Sequence, residues 1–555
     1  MLRIIFISTI FYFVLSINLP AQNTVGLLSY NPSKAFEGYN LIFPHNQPNV
    51  YLLNNCGEIV HVWEDDPQFR PGNSVYLLEN GNLVKCKHPL VSENESIGAG
   101  GKGGIVEIVD WDNTVLWSFE QNDSTARLHH DIQPMPNGHI LMISWEYKSK
   151  AEAIQAGRDT ALLINNKLWP DYILEVDPNT DEIVWEWHVW DHLIQDYDAG
   201  KDNFGSVGDH PELIDLNWTS NPDGIADWLH TNAIDYNSEL DQIVVSVPFF
   251  DEIWIIDHST SVSEAAGHTG GLSGKGGDLI FRWGNPAAYR MGNAADQKLF
   301  FQHDIHWIDE FVDFDHPHYG KLAVFNNRVN PSYSTANIIN PGFGWDSWAY
   351  LWNGSQWGPE DFELTVMHPQ PTKIHSGGLS SVQLLPNDNL LICSGANGYS
   401  VELTPQNDIV WEYKTPLMGG QPVTQGDTTI SGNITFRIKR YPTSYAAFEG
   451  RDLTPIGYIE LDPDTTFCDM ILPVDEVAGN TNTFKVFPNP ASGIVTLEID
   501  NPGSRLIEII DLLGRRQLYF EMNDHRIDLD VSNWEPGIFF IRMDGFTFQK
   551  LLVIN

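Results

Sequence analysis

The chain is poor in several residue types that would commit it to a chemistry. Its 555 residues include only four cysteines, Cys56, Cys86, Cys393 and Cys468. They lie far apart and form no CxxC pair, which excludes a zinc knuckle and a thioredoxin-like redox motif. One or two disulfides fit an oxidising compartment, and the spacing does not fix their pairing. Basic residues number 31 against 73 acidic ones, for a formal net charge of −42. Such a field repels phosphate backbones and anionic bilayers, so nucleic acid and membrane surfaces are excluded as partners. Beyond the N-terminus no apolar run is long enough to span a bilayer. There is no HExxH, no GxSxG and no GxxxxGK followed by Ser or Thr. Two glycine-rich runs, 98–104 and 270–277, fail that phosphate-loop pattern and enter strands rather than helices, so they read as equivalent loops of two repeats.

What is abundant points to short strands and turns. There are 45 glycines, 33 prolines and 19 tryptophans. Residues 1–21 combine a basic start, an apolar run and a small-residue exit, and read as a secretory signal peptide. A unit of strand, Asp-Pro or Asp-Asn turn, and strand ending in Trp recurs at 105–117, 173–185 and 400–411. Degenerate copies lie at 50–63 and at 253–283, the latter interrupted by the second glycine run. A matching unit of polar loop, strand, Pro-Asn-Gly turn and strand begins near Asn73, His129, His230, His303 and Leu379. Two such hairpins make a four-stranded sheet, and repeats of this period with a Trp mark propeller blades. The expected fold is all-β: a six-bladed β-propeller over 22–474, a linker at 475–483, and a small C-terminal β-sandwich over 484–555. Two segments, 191–227 and 330–371, read as insertions that shape one face.

Histidine recurs at equivalent places in the repeats, in His129-His130-Asp131, Leu229-His230-Thr231-Asn232, Gln302-His303-Asp304 and Ile374-His375-Ser376. Recurrence at one place suggests convergence on an axial pocket. Histidine and aspartate supply metal-ligand types, but no close helical pair is present. No cofactor is expected, although a structural calcium ion suits an acidic secreted propeller.

The segments 128–138, Asp227-Trp228-Leu229-His230, Gln302-His303-Asp304, 380–387 and 401–411 together resemble bacterial aryl-sulfate sulfotransferases. The resemblance implies a six-bladed propeller that moves a sulfuryl group from a phenolic sulfate to another phenol. No nucleotide donor is needed, and the transfer passes through a sulfohistidine. On this match His230 and His303 are active-site histidines, and Arg328, in Phe325-Asn326-Asn327-Arg328, is the charge-stabilising arginine. His375 is the matched nucleophile, with His303 as its competitor. A neutral imidazole is a good nucleophile near pH 7, and cationic donors stabilise the charge on three sulfuryl oxygens. His129, His130 and Asn232, with Trp345 and Trp348 of the second insertion, are the expected substrate-binding residues. Against the net charge, cations are expected to concentrate in the funnel. The alternatives are a non-catalytic carbohydrate- or protein-binding propeller and a metal-assisted hydrolase or lyase on the same scaffold.

The tail carries Val486-Phe487-Pro488-Asn489-Pro490, then strand patterns near 494–499, 507–511, 537–541 and 550–553. It resembles the C-terminal sorting domain of type IX secretion substrates in Bacteroidetes-like bacteria. That resemblance implies export across the outer membrane, with release or anchoring at the cell surface, and the type IX machinery as a partner. The sequence marks no dimer face, and the oligomeric state stays open.

Overall fold

A computed structural model describes residues 23–91, 96–218, 220, 225–465, 468, 484–499, 505–511, 515–534, 536–543 and 547–554. The signal-peptide and linker segments read from the sequence lie outside these residues. The chain is nearly all-β, with 45% strand and 7% helix, and it divides into two compact units, 1–465 and 466–555. No described helix is long and apolar enough to cross a membrane. Cys56 and Cys468 are disulfide-bonded, while Cys86 and Cys393 are free and buried.

In the first unit, six antiparallel sheets of four or five strands follow the sequence repeat. Each recurring Asp-Pro or Asp-Asn unit forms the third and fourth strands of a sheet, as in Ile105–Val109 with Val115–Glu120 and Asp171–Asp177 with Glu182–His188. The first strands of the first five sheets are Phe69–Leu77, Ala126–Pro134, Ala233–Asn237, His303–Trp307 and Ser381–Leu384. That of the sixth sheet is Thr435–Pro442. Each lies against the first strand of the sheet before and after it, and the sixth returns to the first.

The sixth sheet joins distant parts of the chain: Thr435–Pro442 pairs with Gly38–Pro44, Val50–Leu53 and Glu58–Trp63 complete the order, and Gly457–Tyr458 adds an edge. Gly26–Tyr30 likewise adds a fifth strand to the fifth sheet. The fourth sheet corrects one sequence reading. Tyr333–Ile339 is its third strand and Leu364–Val366 its fourth, so the inserted stretch begins after residue 339. The repeat is hidden there because its fourth strand ends without Trp.

The repeated Trp has a structural cause. Its indole N–H reaches out of its own sheet to the turn between the third and fourth strands of the next one. Trp63 donates to the Asp110 carbonyl at 3.1 Å, Trp117 to Asp181 Oδ1 at 2.7 Å and Trp185 to Thr260 Oγ1 at 3.2 Å. Trp283 donates to the Pro359 carbonyl at 2.7 Å and Trp411 to the Asn55 carbonyl at 2.8 Å. Each ring thus fills the gap between sheets and satisfies a turn oxygen. Trp411 is 1% exposed. Trp411→Phe keeps most of the apolar area and leaves the Asn55 carbonyl without its donor. It is expected to lower stability by about 1–2 kcal/mol, read as a lower denaturant midpoint.

In the second unit a three-stranded and a four-stranded antiparallel sheet share one apolar cluster, which includes Val495, Leu497, Ile507, Ile509, Ile541 and Leu551. Alternation along Ile494–Ile499 and Gly537–Met543 turns every second side chain into it.

Candidate functional site

The first strands begin with irregular backbone. Register slips occur between Pro71 and Val75, opposite residues 129–131, and between His303 and His306. Asn73, His130, His230, Asp304 and Leu379 have φ between +53° and +94°. A left-handed conformation at a non-glycine residue costs about 1–2 kcal/mol. It recurs where the first strands meet and turns their polar side chains toward a shared centre.

His129, His130 and His230 form a contiguous group. The Nδ1 atoms of His129 and His130 are 2.8 Å apart, and the His130 and His230 rings meet edge to face at 4.5 Å. Trp145 is the hidden support. It stacks on His129 at 3.9 Å and its indole N–H donates to Asp227 Oδ1 at 3.0 Å. Asp227 Oδ2 in turn accepts from His230 Nδ1 at 2.5 Å. A carboxylate only accepts, so Nδ1 carries the proton and the lone pair of His230 sits on Nε2. Asp171 holds the next layer, accepting from the Thr231 amide at 2.8 Å and lying 3.4 Å from His129 Nε2.

Glycine is required at 101, where φ is +77° and an added Cβ would stand 2.0 Å from His130 Nε2. The run 98–104 therefore packs against the histidines. The second run, 270–277, packs elsewhere, on His192 and the Ala265 carbonyl, so the expectation of equivalent loops is not met.

Phe301 connects this group to the other predicted residues. It stacks near His230 at 6.2 Å, lies 5.7 Å from the His303 ring, and carries the Arg328 guanidinium 3.5 Å above its face. Phe249 covers His230 from another side at 4.9 Å. His303 is tied at both nitrogens: Nδ1 lies 2.9 Å from Asn327 Oδ1, and Nε2 accepts the Leu379 amide proton at 3.0 Å. Asn327 donates onward to the Ser376 and Leu379 carbonyls, and Arg328 Nε donates to the Gly377 carbonyl at 2.8 Å. Asn232 stands behind, donating to the Gln302 carbonyl at 2.9 Å with its Oδ1 buried and unpartnered.

The electrostatics separate the rings. Burial pushes His303 down to about 3. Burial and the neighbouring His230, His129 and His303 hold His130 well below the usual imidazole range. Burial also opposes a charge on His230, but Asp227 and Asp171 outweigh it, and its pKa stands above the ordinary value. Burial lifts Asp251, which accepts from the Phe301 amide, to about 6. The expected concentration of cations is thus narrow. Arg328 and His230 supply it, set among the carboxyl groups of Asp171, Asp227 and Asp251.

Three sequence-predicted residues stand apart. The ring of His375 makes no aromatic contact with the group, and its Nδ1 is buried without a hydrogen-bond partner. Its backbone starts the 376–379 segment that holds Asn327 and Arg328. Trp345 and Trp348 pack with Phe343 at 5.4 and 5.3 Å, in an insert whose Tyr350 and Trp357 bury against the third sheet's outer strands. No hydrogen bond or ring contact joins either tryptophan to the histidines. The sequence reading gave no role to Trp145, Asp171, Phe249 and Phe301, which carry no local signature, nor to Asn327, which stands in the quoted motif directly before Arg328. It also missed Asp227, although an acid three residues before His230 was a usable signal.

Beneath the histidines, Arg437 crosses between first strands. It pairs with Asp131 Oδ2 at 2.8 Å and Asp304 Oδ1 at 2.6 Å and donates to the Tyr76 hydroxyl. On its other side a cavity of about 690 Å³ is lined by residues further along the same strands, among them Gln133, Asp235, His306 and Lys439. The histidine group and this cavity lie on opposite sides of the Arg437 layer.

Residues 16–347 match the family described as Arylsulfotransferase (ASST), more than half of the chain. His130, His230, His303 and Arg328 fall within the matched stretch and His375 beyond it. Residues 485–554 match the secretion system C-terminal sorting domain, which marks the chain for type IX secretion to the cell surface or the extracellular space. No curated protein matches the chain. Solved structures similar to it include a protein of unknown function from Bacteroides caccae, at 11% identity over 73% of this chain and 99% of that one, with a TM-score of 0.39. Virginiamycin B lyase from Staphylococcus aureus is similar at 10% identity over 72% and 90%, with a TM-score of 0.31. The chain belongs to the arylsulfotransferase (ASST) family.

Proposed function

We propose that the first unit is a six-bladed β-propeller that transfers a sulfuryl group from an aryl sulfate to a phenolic acceptor through a sulfohistidine, without a nucleotide donor. The blade reading rests on the six sheets, the ring of first strands and the Trp donors that link successive sheets. The observation that carries the chemistry is the Asp227–His230 pair, which leaves His230 Nε2 as a lone pair beside a neutral His130 and near Arg328.

His230 Nε2 attacks sulfur, the sulfur–aryl oxygen bond breaks, and the phenolate departs with the bonding pair. The imidazole then carries positive charge, which the Asp227 carboxylate offsets. In the second half-reaction the acceptor oxygen attacks sulfur and the pair of the S–N bond returns to Nε2. One proton passes overall from acceptor phenol to released phenol, and His130, in contact with His230, is the ring placed to relay it. Arg328 faces the charge spread over the sulfuryl oxygens, and Phe249 and Phe301 offer aryl-sized faces.

This reading moves the nucleophile from His375 to His230. His303 Nε2 is occupied by the Leu379 amide, so His303 serves as a fixed wall of the site.

The test is incubation with 4-nitrophenyl sulfate without nucleotide, followed by intact-mass analysis, then addition of phenol. A sulfuryl adduct that phenol discharges is expected, and its absence would refute the reading. Arg328→Ala is expected to lower kcat by about 10²–10³-fold, the usual cost of one oxyanion donor. Steady-state release of 4-nitrophenolate measures it.

A further inference from the structure

We propose that His192, His268 and Asp278 form a binding site for a borderline divalent metal ion such as Zn²⁺, outside the histidine group. One ligand atom from each lies within 4.8 Å of the others. His192 Nε2 is 2.8 Å from the Ala265 carbonyl, which can only accept, so Nε2 holds the ring proton. Its Nδ1 lone pair then points at Asp278 Oδ1, 2.9 Å away. Two acceptors at that separation repel unless a proton or a metal ion bridges them. His268 Nδ1 approaches the same oxygen at 2.7 Å from the solvent side.

The surroundings hold the buried half rigid. Trp187 stacks parallel to His192 at 5.5 Å and donates to the Gly277 carbonyl at 2.7 Å. Gly277, at the end of the glycine-rich run 270–277, lies against the ring, and a Cβ there would stand 2.6 Å from His192 Nε2. His268 is 58% exposed at its side chain, so its ring is free to adjust to nitrogen–metal bonds of about 2.0–2.1 Å. Two imidazoles and one carboxylate suit Zn²⁺ or Co²⁺. They do not suit Ca²⁺, which takes six or more oxygens.

The experiment uses the full chain, stripped with chelator and carrying no histidine tag. Zn²⁺ is titrated in competition with a chromophoric chelator, and Co²⁺ is followed by its visible spectrum. One tight equivalent is expected, with affinity reduced at least about 100-fold in His268→Ala, a loss at or beyond that of outer-sphere partners. His268 is exposed, so this variant folds; Asp278→Asn gives a second reading of the same site. Absence of a stoichiometric site, or equal affinity in His268→Ala, overturns the proposal and assigns the triad to a protonated His192 paired with Asp278. Neither result depends on sulfuryl transfer, because no hydrogen bond, ion pair or ring contact among the described residues joins these three to the His230 group.

Discussion

His230→Ala is expected to abolish the sulfuryl adduct and reduce turnover to background, while His375→Ala keeps both. The reason is geometric. His230 is the imidazole whose Nδ1 proton is held by a carboxylate and whose Nε2 lies open beside neutral partners. Asp227→Asn separates positioning from attack. The neutral amide no longer favours the charged imidazole, so kcat is expected to fall by about 10²–10⁴-fold, the range of a disabled acid–base partner. The sign of the pH effect follows from the raised pKa of His230. Attack needs the unprotonated ring, so the rate rises as pH passes the His230 pKa. Removing Asp227 lowers that pKa, and the ascending limb moves to lower pH. A limb that stays in place, or an adduct that survives in His230→Ala and vanishes in His375→Ala or His303→Ala, would return the role to those residues.

Arg437→Met is expected to destabilise the first unit by about 3–5 kcal/mol, the cost of removing one partner from a buried ion pair. Asp131 and Asp304 are 1% and 5% exposed and face each other across the guanidinium. Without it, two carboxyl groups remain in a space that water reaches poorly, and Tyr76 loses a donor to its hydroxyl. Adding Asp131→Asn and Asp304→Asn to Arg437→Met is expected to recover most of the loss, because neutral amides need no counter-charge. Denaturant midpoints of the single and triple variants measure this. A single variant as stable as the parent would show that the Arg437 layer does not hold the first strands together.

The strand pattern was legible because hairpins are local. At 105–117 or 173–185 the turn residues and the alternation lie within a few positions of each other, and the folded chain forms those pairs. The place of the histidines at the start of the first strands was legible for the same reason. Their roles were not. A motif says that His230 and His375 exist, but the free nitrogen depends on Asp227, Trp145 and Ala-to-Gly-sized differences at 101 that only packing reveals. Trp345 and Trp348 looked like aryl platforms because aromatic content is visible in sequence. Their position on an outer insert depends on where Tyr350 and Trp357 anchor it.

From the residues by themselves came the short antiparallel strands, the recurring Trp at the end of each unit and the sorting tail, all encoded over spans of a dozen residues or fewer at a time. Tertiary structure alone decided that Thr435–Pro442 pairs with Gly38–Pro44 and that Arg437 bridges Asp131 and Asp304. It also decided that the second glycine run ends with Gly277 against His192 rather than against the histidine group. Partners separated by hundreds of residues leave no periodicity. Their choice is made by which buried charges and hydrogen-bond donors can be satisfied once the sheets assemble.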